Sequence, residues 1–224
     1  MSAADASVTP REVRIPVEEG AIMGNLVVPA DAAGIVLFAH GSGSGRHSPR
    51  SNLVAQMLQR AGFATLLMDL LTAAEERVDV FTREHRFNIG LLARRLVACT
   101  NWLTRSHHAG LPIGYFGSST GAAAAIVAAA QRDDDGAIVS RGGRPDLAAE
   151  ALERFAAPIL LIVGGNDPQV LELNRAAMRR MRARAELTVI PGAGHLFEEP
   201  GQLEQVARLA AEFFQRHLRA VRGS

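Results

Sequence analysis

A glycine-flanked serine is the strongest chemical signal in the sequence. Residues 117–121 read Gly-Ser-Ser-Thr-Gly, between an apolar run that ends at Phe116 and a helical run over residues 122–130. A G-x-S-x-G turn between a strand and a helix holds its serine in strained backbone geometry, and the flanking glycines omit side chains that would clash there. The hydroxyl then projects beside a helix N-terminus, which favours developing negative charge. The motif predicts that Ser119 is a nucleophile.

A serine hydroxyl needs a base to take its proton, and that base needs an acid to orient it. His195 ends a Pro-Gly-Ala-Gly-His loop between the last predicted strand and the terminal helix. Asp167 ends a Gly-Gly-Asn-Asp segment that directly follows another predicted strand. We predict that His195 is the general base and Asp167 the orienting acid. Asp69, which follows an earlier predicted strand, is the competing candidate for the acid.

Two backbone N–H groups are candidates to stabilise the oxyanion of a tetrahedral intermediate. One belongs to Thr120, the residue after the serine, and the other to Ser42 in a glycine-rich loop at residues 40–45. Glycines on both sides of Ser42 would let its N–H turn into the site. The same loop does not fit a nucleotide-binding motif, because G-x-G-x-x-G requires glycine where Arg46 stands. We therefore predict an oxyanion hole formed by Ser42 and Thr120, and no cofactor.

The order of elements predicts how these residues meet. Continuously apolar, β-rich runs alternate with helical stretches, which is typical of parallel strands covered on both faces. These runs are Ile35–Ala39 and residues 63–68, 113–116, 137–139, 159–163 and 187–190. Residues 12–29 predict an antiparallel hairpin that turns near Glu19 and Gly20. The whole pattern predicts one α/β domain over residues 1–224 with a doubly wound, mostly parallel sheet, after a tail at residues 1–10 that we expect to be disordered.

With these motifs assembled, the chain resembles the dienelactone hydrolase-like branch of the α/β-hydrolases. The resemblance runs from residue 34 to the terminal helix and rests on Phe-Ala-His-Gly-Ser-Gly at residues 38–43, Gly-Ser-Ser-Thr-Gly at 117–121, Gly-Gly-Asn-Asp at 164–167 and Gly-Ala-Gly-His at 192–195. It implies the α/β-hydrolase fold, in which the nucleophile, acid and base follow one another in that chain order. It also implies that the large lid domain of many lipases is missing.

One position departs from the pattern of this family. Dienelactone hydrolases proper carry cysteine as the nucleophile, whereas position 119 is serine. The resemblance therefore points toward general carboxylesterases. Some relatives of this kind are fused to a phosphoribosyltransferase domain, and we expect no such domain in this chain because its 224 residues leave no room for one.

Composition narrows the classes of partner. Lys+Arg 24 against Asp+Glu 23 gives a net charge of +1, and no basic tract is interleaved with aromatics, so we expect no nucleic acid partner. The apolar runs fall below the roughly 20 residues that span a bilayer, and the N-terminus lacks a signal peptide pattern, so we expect a cytoplasmic protein without a membrane partner. No group of His, Cys, Asp and Glu repeats at ligand spacing, so we predict no metal site. The only cysteine, Cys99, is predicted to be buried and inert in a helix.

The predicted reaction is hydrolysis of a small carboxylic ester or lactone through an acyl-enzyme. An acyltransferase that uses the same three residues is the nearest alternative, and a dienelactone hydrolase proper is another. A non-catalytic binding protein is disfavoured because the serine, histidine and aspartate are all present. The sequence leaves the oligomeric state open.

Three arginines follow strands whose carboxyl ends should border the ligand crevice. Arg46 follows the first central strand, and Arg141 and Arg144 follow the run at residues 137–139. We predict that they bind a carboxylate of the substrate, with Arg141 as the main anchor, because a guanidinium holds a carboxylate by two parallel hydrogen bonds. Asp146 is available to neutralise Arg144. Residues 70–86 form the longest irregular connection and are a candidate for a small flap.

Overall fold

Eight strands form one sheet in the computed structural model, which describes residues 9–132 and 136–218. The strands are β1 (Arg11–Val17), β2 (Gly20–Val27), β3 (Ile35–Ala39), β4 (Ala64–Met68), β5 (Ile113–Ser118), β6 (Ala137–Arg141), β7 (Ile159–Gly164) and β8 (Ala185–Ile190). Their order across the sheet is β1-β2-β4-β3-β5-β6-β7-β8. β2 is antiparallel to both β1 and β4, and every other pair is parallel. This confirms the predicted hairpin and parallel sheet; the predicted tail lies outside the described residues, apart from Thr9 and Pro10.

Helices cover both faces of this sheet. They are α1 (Pro49–Arg60), α2 (Ala73–Thr82), α3 (Ile89–Thr104), α4 (Thr120–Ala129), α5 (Pro168–Met178) and α6 (Gln202–His217), and Pro145–Glu153 forms 3₁₀ turns. Helices α3 and α4 bury one hydrophobic cluster against the sheet, and α1 and α6 bury another on the opposite face. Every residue of β3 to β7 is buried, as continuously apolar strands between two layers require. None of the described helices is both long and apolar enough to cross a membrane.

The sequence signals for helix ends explain how α1 is placed after β3. The hydroxyl of Ser48 accepts a hydrogen bond from the Ser51 N–H at 3.4 Å, and Pro49 occupies the first helical position. Gly62 follows the helix with a φ of +88°, a conformation that favours glycine. The local sequence therefore explains both the start and the end of this helix.

Residues 70–86 contain a helix, so the predicted irregular connection was wrong. Helix α2 begins with a capping box in which the Thr72 hydroxyl accepts from the Glu75 N–H at 3.2 Å. The Glu75 carboxylate in turn accepts from the Thr72 N–H at 2.7 Å. The helix escaped prediction because its apolar residues Val78, Val80 and Phe81 are exposed, and its only buried side chain is a carboxylate, that of Asp79.

Helix α2 is held to the rest of the molecule by ion pairs rather than by an apolar face. Near its start, Glu75 pairs with the buried guanidinium of Arg95, which also pairs with Glu19 in the hairpin turn. Near its end, Asp79 pairs with Arg86 and accepts the N–H groups of His85 at 2.8 Å and Arg86 at 3.0 Å. Burial raises the pKa of Asp79, but the hydrogen bonds from Arg86 and from these backbone groups outweigh burial and leave the pKa below its ordinary value. Ion pairs and hydrogen bonds therefore hold residues 70–86 in place against the rest of the molecule.

Replacing Asp79 by alanine should lower the free energy of unfolding by about 3 kcal/mol. The Asp79 side chain is 1% exposed, and its removal leaves the Arg86 guanidinium and two backbone N–H groups without their acceptor. Urea denaturation followed by circular dichroism measures this change. The matched control is Glu84→Ala, which removes an exposed acid of the same segment and should change stability by less than about 0.5 kcal/mol. Equal effects of the two substitutions would contradict the anchoring role of Asp79.

Candidate active site

Ser119 lies in the turn between β5 and α4 with a strained backbone. Its φ of +50° and ψ of −121° are outside the regions that residues with a side chain normally adopt, as the G-x-S-x-G motif predicts. The last residue of β6 and the loop that follows it hold this turn from both sides. The Ser119 N–H donates to the Arg141 carbonyl at 3.4 Å, and the Ser119 carbonyl accepts from the Arg144 N–H at 3.0 Å.

The two glycines of the motif leave room for close backbone contact. A Cβ at Gly121 would overlap with the carbonyl oxygen of Ala39, at the end of β3. A Cβ at Gly117 would lie 2.5 Å from the Cα of Ala122 in α4. The turn can therefore be sharp enough to present Ser119 only because positions 117 and 121 carry no side chain.

His195 is oriented by Asp167. The two side chains meet with His195 Nδ1 2.7 Å from Asp167 Oδ2. Since an ionised carboxylate can only accept, Nδ1 carries the hydrogen, and Nε2 of the neutral ring is left as an acceptor. The other Asp167 oxygen accepts from the Val170 N–H at 3.3 Å and so caps helix α5. The first turn of helix α5 and the ring of His195 therefore fix the Asp167 carboxylate together.

The competing acid, Asp69, has different partners. Its carboxylate pairs with the guanidinium of Arg46 and also accepts from the Arg46 N–H at 3.0 Å. These bonds tie the glycine-rich loop to the end of β4. Among the described residues, His195 has its carboxylate contact with Asp167 and none with Asp69.

Ser119 and His195 border the same cleft, which has a volume of about 280 Å³. Its lining residues are Gly41, Ser42, Ser44, Ser48, Arg50, Ser51, Phe87, Ser118, Ser119, Arg141, His195 and Leu196. In the described part of the chain the Ser119 hydroxyl makes no hydrogen bond, so the serine and histidine share the cleft without a direct bond between them. Such bonds are often long in unliganded sites and tighten when a substrate binds.

The two predicted oxyanion residues contact each other through their hydroxyl groups. Ser42 Oγ lies 3.1 Å from Thr120 Oγ1 and donates its hydrogen to the Arg86 carbonyl at 3.3 Å, so Thr120 is the donor of the hydroxyl pair. Within residues 9–132 and 136–218, the backbone N–H groups of Ser42 and Thr120 have no acceptor. Both N–H groups are consequently available to a ligand.

His40 fastens the start of the loop that carries Ser42. Its Nε2 accepts from the Leu70 N–H at 3.1 Å, so Nδ1 bears the hydrogen and donates to the Gly41 carbonyl at 2.9 Å. Burial is the main cause that lowers the pKa of His40 below its ordinary value. The neutral ring of His40 therefore links the loop after β3 to the chain after β4.

Of the three predicted arginines, only Arg141 borders the Ser119 cleft. Arg46 is paired with Asp69 and, at 3.0 Å, with Glu12. Arg144 forms two parallel hydrogen bonds with Asp146, at 2.8 and 2.7 Å, which raise its pKa. The structure therefore does not bring Arg46 and Arg144 to the cleft, because neighbouring carboxylates hold them.

Arg141 differs from the other two because it has no counter-charge within the part of the chain that the structure describes. It ends β6, is 9% exposed, and its Nε is buried without a partner. Among the described residues its guanidinium forms no ion pair or hydrogen bond. Burial, reinforced by the charge of Arg50, lowers the pKa of Arg141 to about 10, which still leaves the side chain charged at neutral pH.

Arg50, Phe87 and Leu196 also border this cleft and were not predicted from the sequence as site residues. Arg50 pairs with Glu198 at 2.6 Å, near the His195 loop. The strand-end rule could have found Arg50, because α1 follows β3 and begins at the carboxyl edge of the sheet. Leu196 adjoins His195 and could have been found the same way. Phe87 could not have been placed without knowing that α2 returns the chain to Ser42.

A hydrolase is the class of protein that this arrangement defines. The sheet order, a strained serine after β5, an aspartate after β7 and a histidine after β8 are the features of the α/β-hydrolase fold. The model of the dienelactone hydrolase family matches residues 22–222, and the chain belongs to that family. Fold and family together support a hydrolase.

Relatives and solved structures agree with this family. The crystal structure of dienelactone hydrolase from Anabaena variabilis is 55% identical and superposes with a TM-score of 0.91, covering 94% of this chain and 100% of that chain. Est1E from Butyrivibrio proteoclasticus shares the fold at 17% identity and a TM-score of 0.76, covering 92% and 98% of the two chains. A protein of Mycobacterium tuberculosis, provisionally named a phosphoribosyl transferase, is 55% identical over 219 residues. That match covers 97% of this chain and 48% of the relative, so the chain spans about half the relative's length.

Gly142→Ala should displace His195 and slow covalent labelling of the serine by a fluorophosphonate severalfold. Gly142 has a φ of +51°, and a Cβ there would lie 3.0 Å from the His195 carbonyl oxygen and 3.6 Å from its ring carbon Cε1. The His195 backbone must shift by a few tenths of an ångström to relieve the 3.0 Å contact. Because a misplacement of about 1 Å at a reacting group can cost on the order of 10²-fold, this smaller shift should cost severalfold.

Gly192→Ala is the matched control for this substitution. Gly192 also has a positive φ, +76°, but a Cβ there would have no neighbour within 4 Å. Both variants should lose about 1 kcal/mol of stability to backbone strain, while only Gly142→Ala should be labelled more slowly by the fluorophosphonate. Equal labelling of the two variants would contradict the contact between position 142 and His195.

Proposed function

We propose that this protein hydrolyses small carboxylic esters or lactones through an acyl-enzyme. Ser119 is the nucleophile, His195 the general base, and Asp167 the acid that orients it. The observation that carries the proposal is the 2.7 Å contact of His195 Nδ1 with Asp167, at a cleft shared with a strained Ser119. This contact leaves Nε2 of His195 free to accept a proton.

The reaction would proceed in two steps. Ser119 Oγ attacks the carbonyl carbon while its proton moves to His195 Nε2, and the N–H groups of Ser42 and Thr120 bind the resulting oxyanion. His195 then gives that proton to the leaving oxygen, and the carbon–oxygen bond breaks to leave the acyl group on Ser119. Water, deprotonated by His195, attacks the acyl carbon; the bond from that carbon to Ser119 Oγ then breaks, and His195 returns the proton to Oγ as the acid is released. With a lactone, the leaving hydroxyl stays attached to the released acid.

Water is a better candidate than another alcohol for the second step. The side chain of His195 is exposed to solvent, so water has direct access to the base. The cleft volume of about 280 Å³ has room for a small ester. The provisional name of the mycobacterial relative is not transferred, because this chain matches about half of that protein. Hydrolysis is therefore preferred to acyl transfer.

Ser119→Ala and Asp167→Asn should remove ester hydrolysis. Loss of the serine should lower kcat on the order of 10⁶-fold, and loss of the orienting carboxylate on the order of 10⁴-fold, as in other serine hydrolases. Hydrolysis of short-chain esters by the purified variants measures both. Asp69→Asn is the matched control, because Asp69 pairs with Arg46 and should leave kcat within a few-fold of wild type.

The proposal would be contradicted by near wild-type turnover in Ser119→Ala. If Asp69→Asn lost as much activity as Asp167→Asn, the identity of the acid would be wrong while the nucleophile stood. Circular dichroism of each variant separates a loss of chemistry from a loss of fold.

We also propose that Arg141 binds a carboxylate of the substrate, remote from the scissile ester. A charged guanidinium that is 9% exposed and has no counter-charge among the described residues is costly, and an anionic ligand removes this cost. The Arg50 guanidinium borders the same cleft and adds positive charge, although Glu198 partly neutralises it. Arg46 and Arg144 have no part in this proposal, since both are already paired.

Esters with a free carboxylate should be hydrolysed with a higher kcat/KM than neutral esters of equal size. Arg141→Gln should reduce this preference about 30-fold, since a hydrogen-bonded charge pair is worth about 2 kcal/mol. Arg144→Gln is the matched control, because Arg144 is bound to Asp146 and should keep the preference. The subsite is refuted if wild type shows no preference, or if Arg141→Gln slows both kinds of ester equally.

A further inference from the structure

Two large apolar side chains are exposed on the border of the Ser119 cleft. Phe87 is 57% exposed and Leu196 is 39% exposed, and both line it. The other lining residues are one glycine, six serines, two arginines and one histidine. A single exposed apolar side chain needs no explanation. Two of them on one otherwise polar cleft, beside a strained serine, indicate contact with an apolar part of a ligand.

Phe87 is exposed on a segment that is held on both sides. The preceding residue, Arg86, donates its N–H to Asp79 at 3.0 Å, and its carbonyl accepts from the Ser42 hydroxyl at 3.3 Å. The following residue, Asn88, caps helix α3 by accepting from the Leu91 N–H at 3.0 Å. The phenyl ring therefore projects from a fixed backbone, next to the loop that would bind the oxyanion. Because the backbone is already fixed, only the side chain has to be ordered when the ring binds a ligand.

Leu196 is presented by a strained turn. The next residue, Phe197, has a φ of +57°, which is unusual for a bulky side chain, and its ring is buried in the core. The Phe197 N–H donates to the Gly194 carbonyl at 3.3 Å, which closes the turn around His195. The buried Phe197 ring thus anchors the turn, while Leu196 stays at the cleft beside the proposed base.

We propose that Phe87 and Leu196 form an apolar subsite that binds a compact hydrophobic group of the ester, such as a small ring or a branched alkyl group. This inference rests on the ester hydrolysis proposed above and names the kind of substrate that the same site prefers. The cleft volume of about 280 Å³ has room for such a compact group. Together with Arg141, the subsite would recognise small esters with an apolar and an acidic part.

The test compares esters of equal size that differ only in polarity. Methyl cyclohexanecarboxylate is paired with methyl tetrahydropyran-4-carboxylate, and cyclohexyl acetate with tetrahydropyran-4-yl acetate. The first pair varies the acyl group, and the second varies the alcohol. For each pair, kcat/KM is measured at constant pH by titration and divided by the rate of alkaline hydrolysis, so that the ratio reports binding rather than intrinsic reactivity.

Wild type should prefer the cyclohexyl member of at least one pair by about fivefold to tenfold. Phe87→Ala and Leu196→Ala should each reduce this ratio about threefold or more, and Phe87→Leu should restore most of it. Phe81→Ala and Leu147→Ala are matched controls that should leave the ratio unchanged. Phe81 is 86% exposed and Leu147 is 37% exposed, and neither lines the cleft.

The outcomes separate the apolar subsite from the reaction itself. A wild-type ratio near one in both pairs would overturn the subsite, as would an unchanged ratio in both Phe87→Ala and Leu196→Ala. If the four esters were still hydrolysed in a manner that Ser119→Ala abolishes, the proposed reaction would survive that result. Failure of wild type to hydrolyse any of the four esters would overturn both proposals.

Discussion

The structure depends on a backbone contact that tolerates no side chain. Helix α4 begins so close to β3 that a Cβ at Gly121 would overlap with the Ala39 carbonyl, and Gly117 faces the Ala122 backbone just as closely. This approach bends the chain sharply at Ser119 and forces its φ to +50°. The fold tolerates this strain because the surrounding parallel strands are buried on both faces and fix the two ends of the turn.

Several arginines are paired with carboxylates that hold the fold together, whereas Arg141 is not paired with any described residue. Arg86 and Arg95 fasten helix α2, and Arg46 fastens the glycine-rich loop, so each has a structural carboxylate partner. Arg141 is buried beside Ser119 without such a partner among the described residues. Since burying an uncompensated charge costs free energy, this arrangement disfavours the empty cleft and favours an anionic ligand. The same network keeps α2 in place, so that Phe87 remains at the cleft.

Much of this arrangement could be predicted because local sequence and topology agree. Continuously apolar strands predicted the parallel sheet, and the strand-end rule then predicted that Ser119, Asp167 and His195 lie at one edge. Helix α2 could not be predicted from periodicity, because its buried contact is the charge of Asp79 rather than an apolar stripe. The state of Arg141 could not be predicted either. Whether a guanidinium meets a carboxylate depends on tertiary contacts that spacing along the chain does not encode.

The most direct test of the account is to trap the covalent intermediate. Wild-type protein is mixed with a slowly turned-over ester, quenched in acid during steady state, digested and mapped by mass spectrometry. The account predicts one acyl group per chain, on the peptide that contains Ser119, because among the described residues only this hydroxyl combines a strained turn with the cleft of His195. Turnover that leaves the acyl group on any other residue would contradict it.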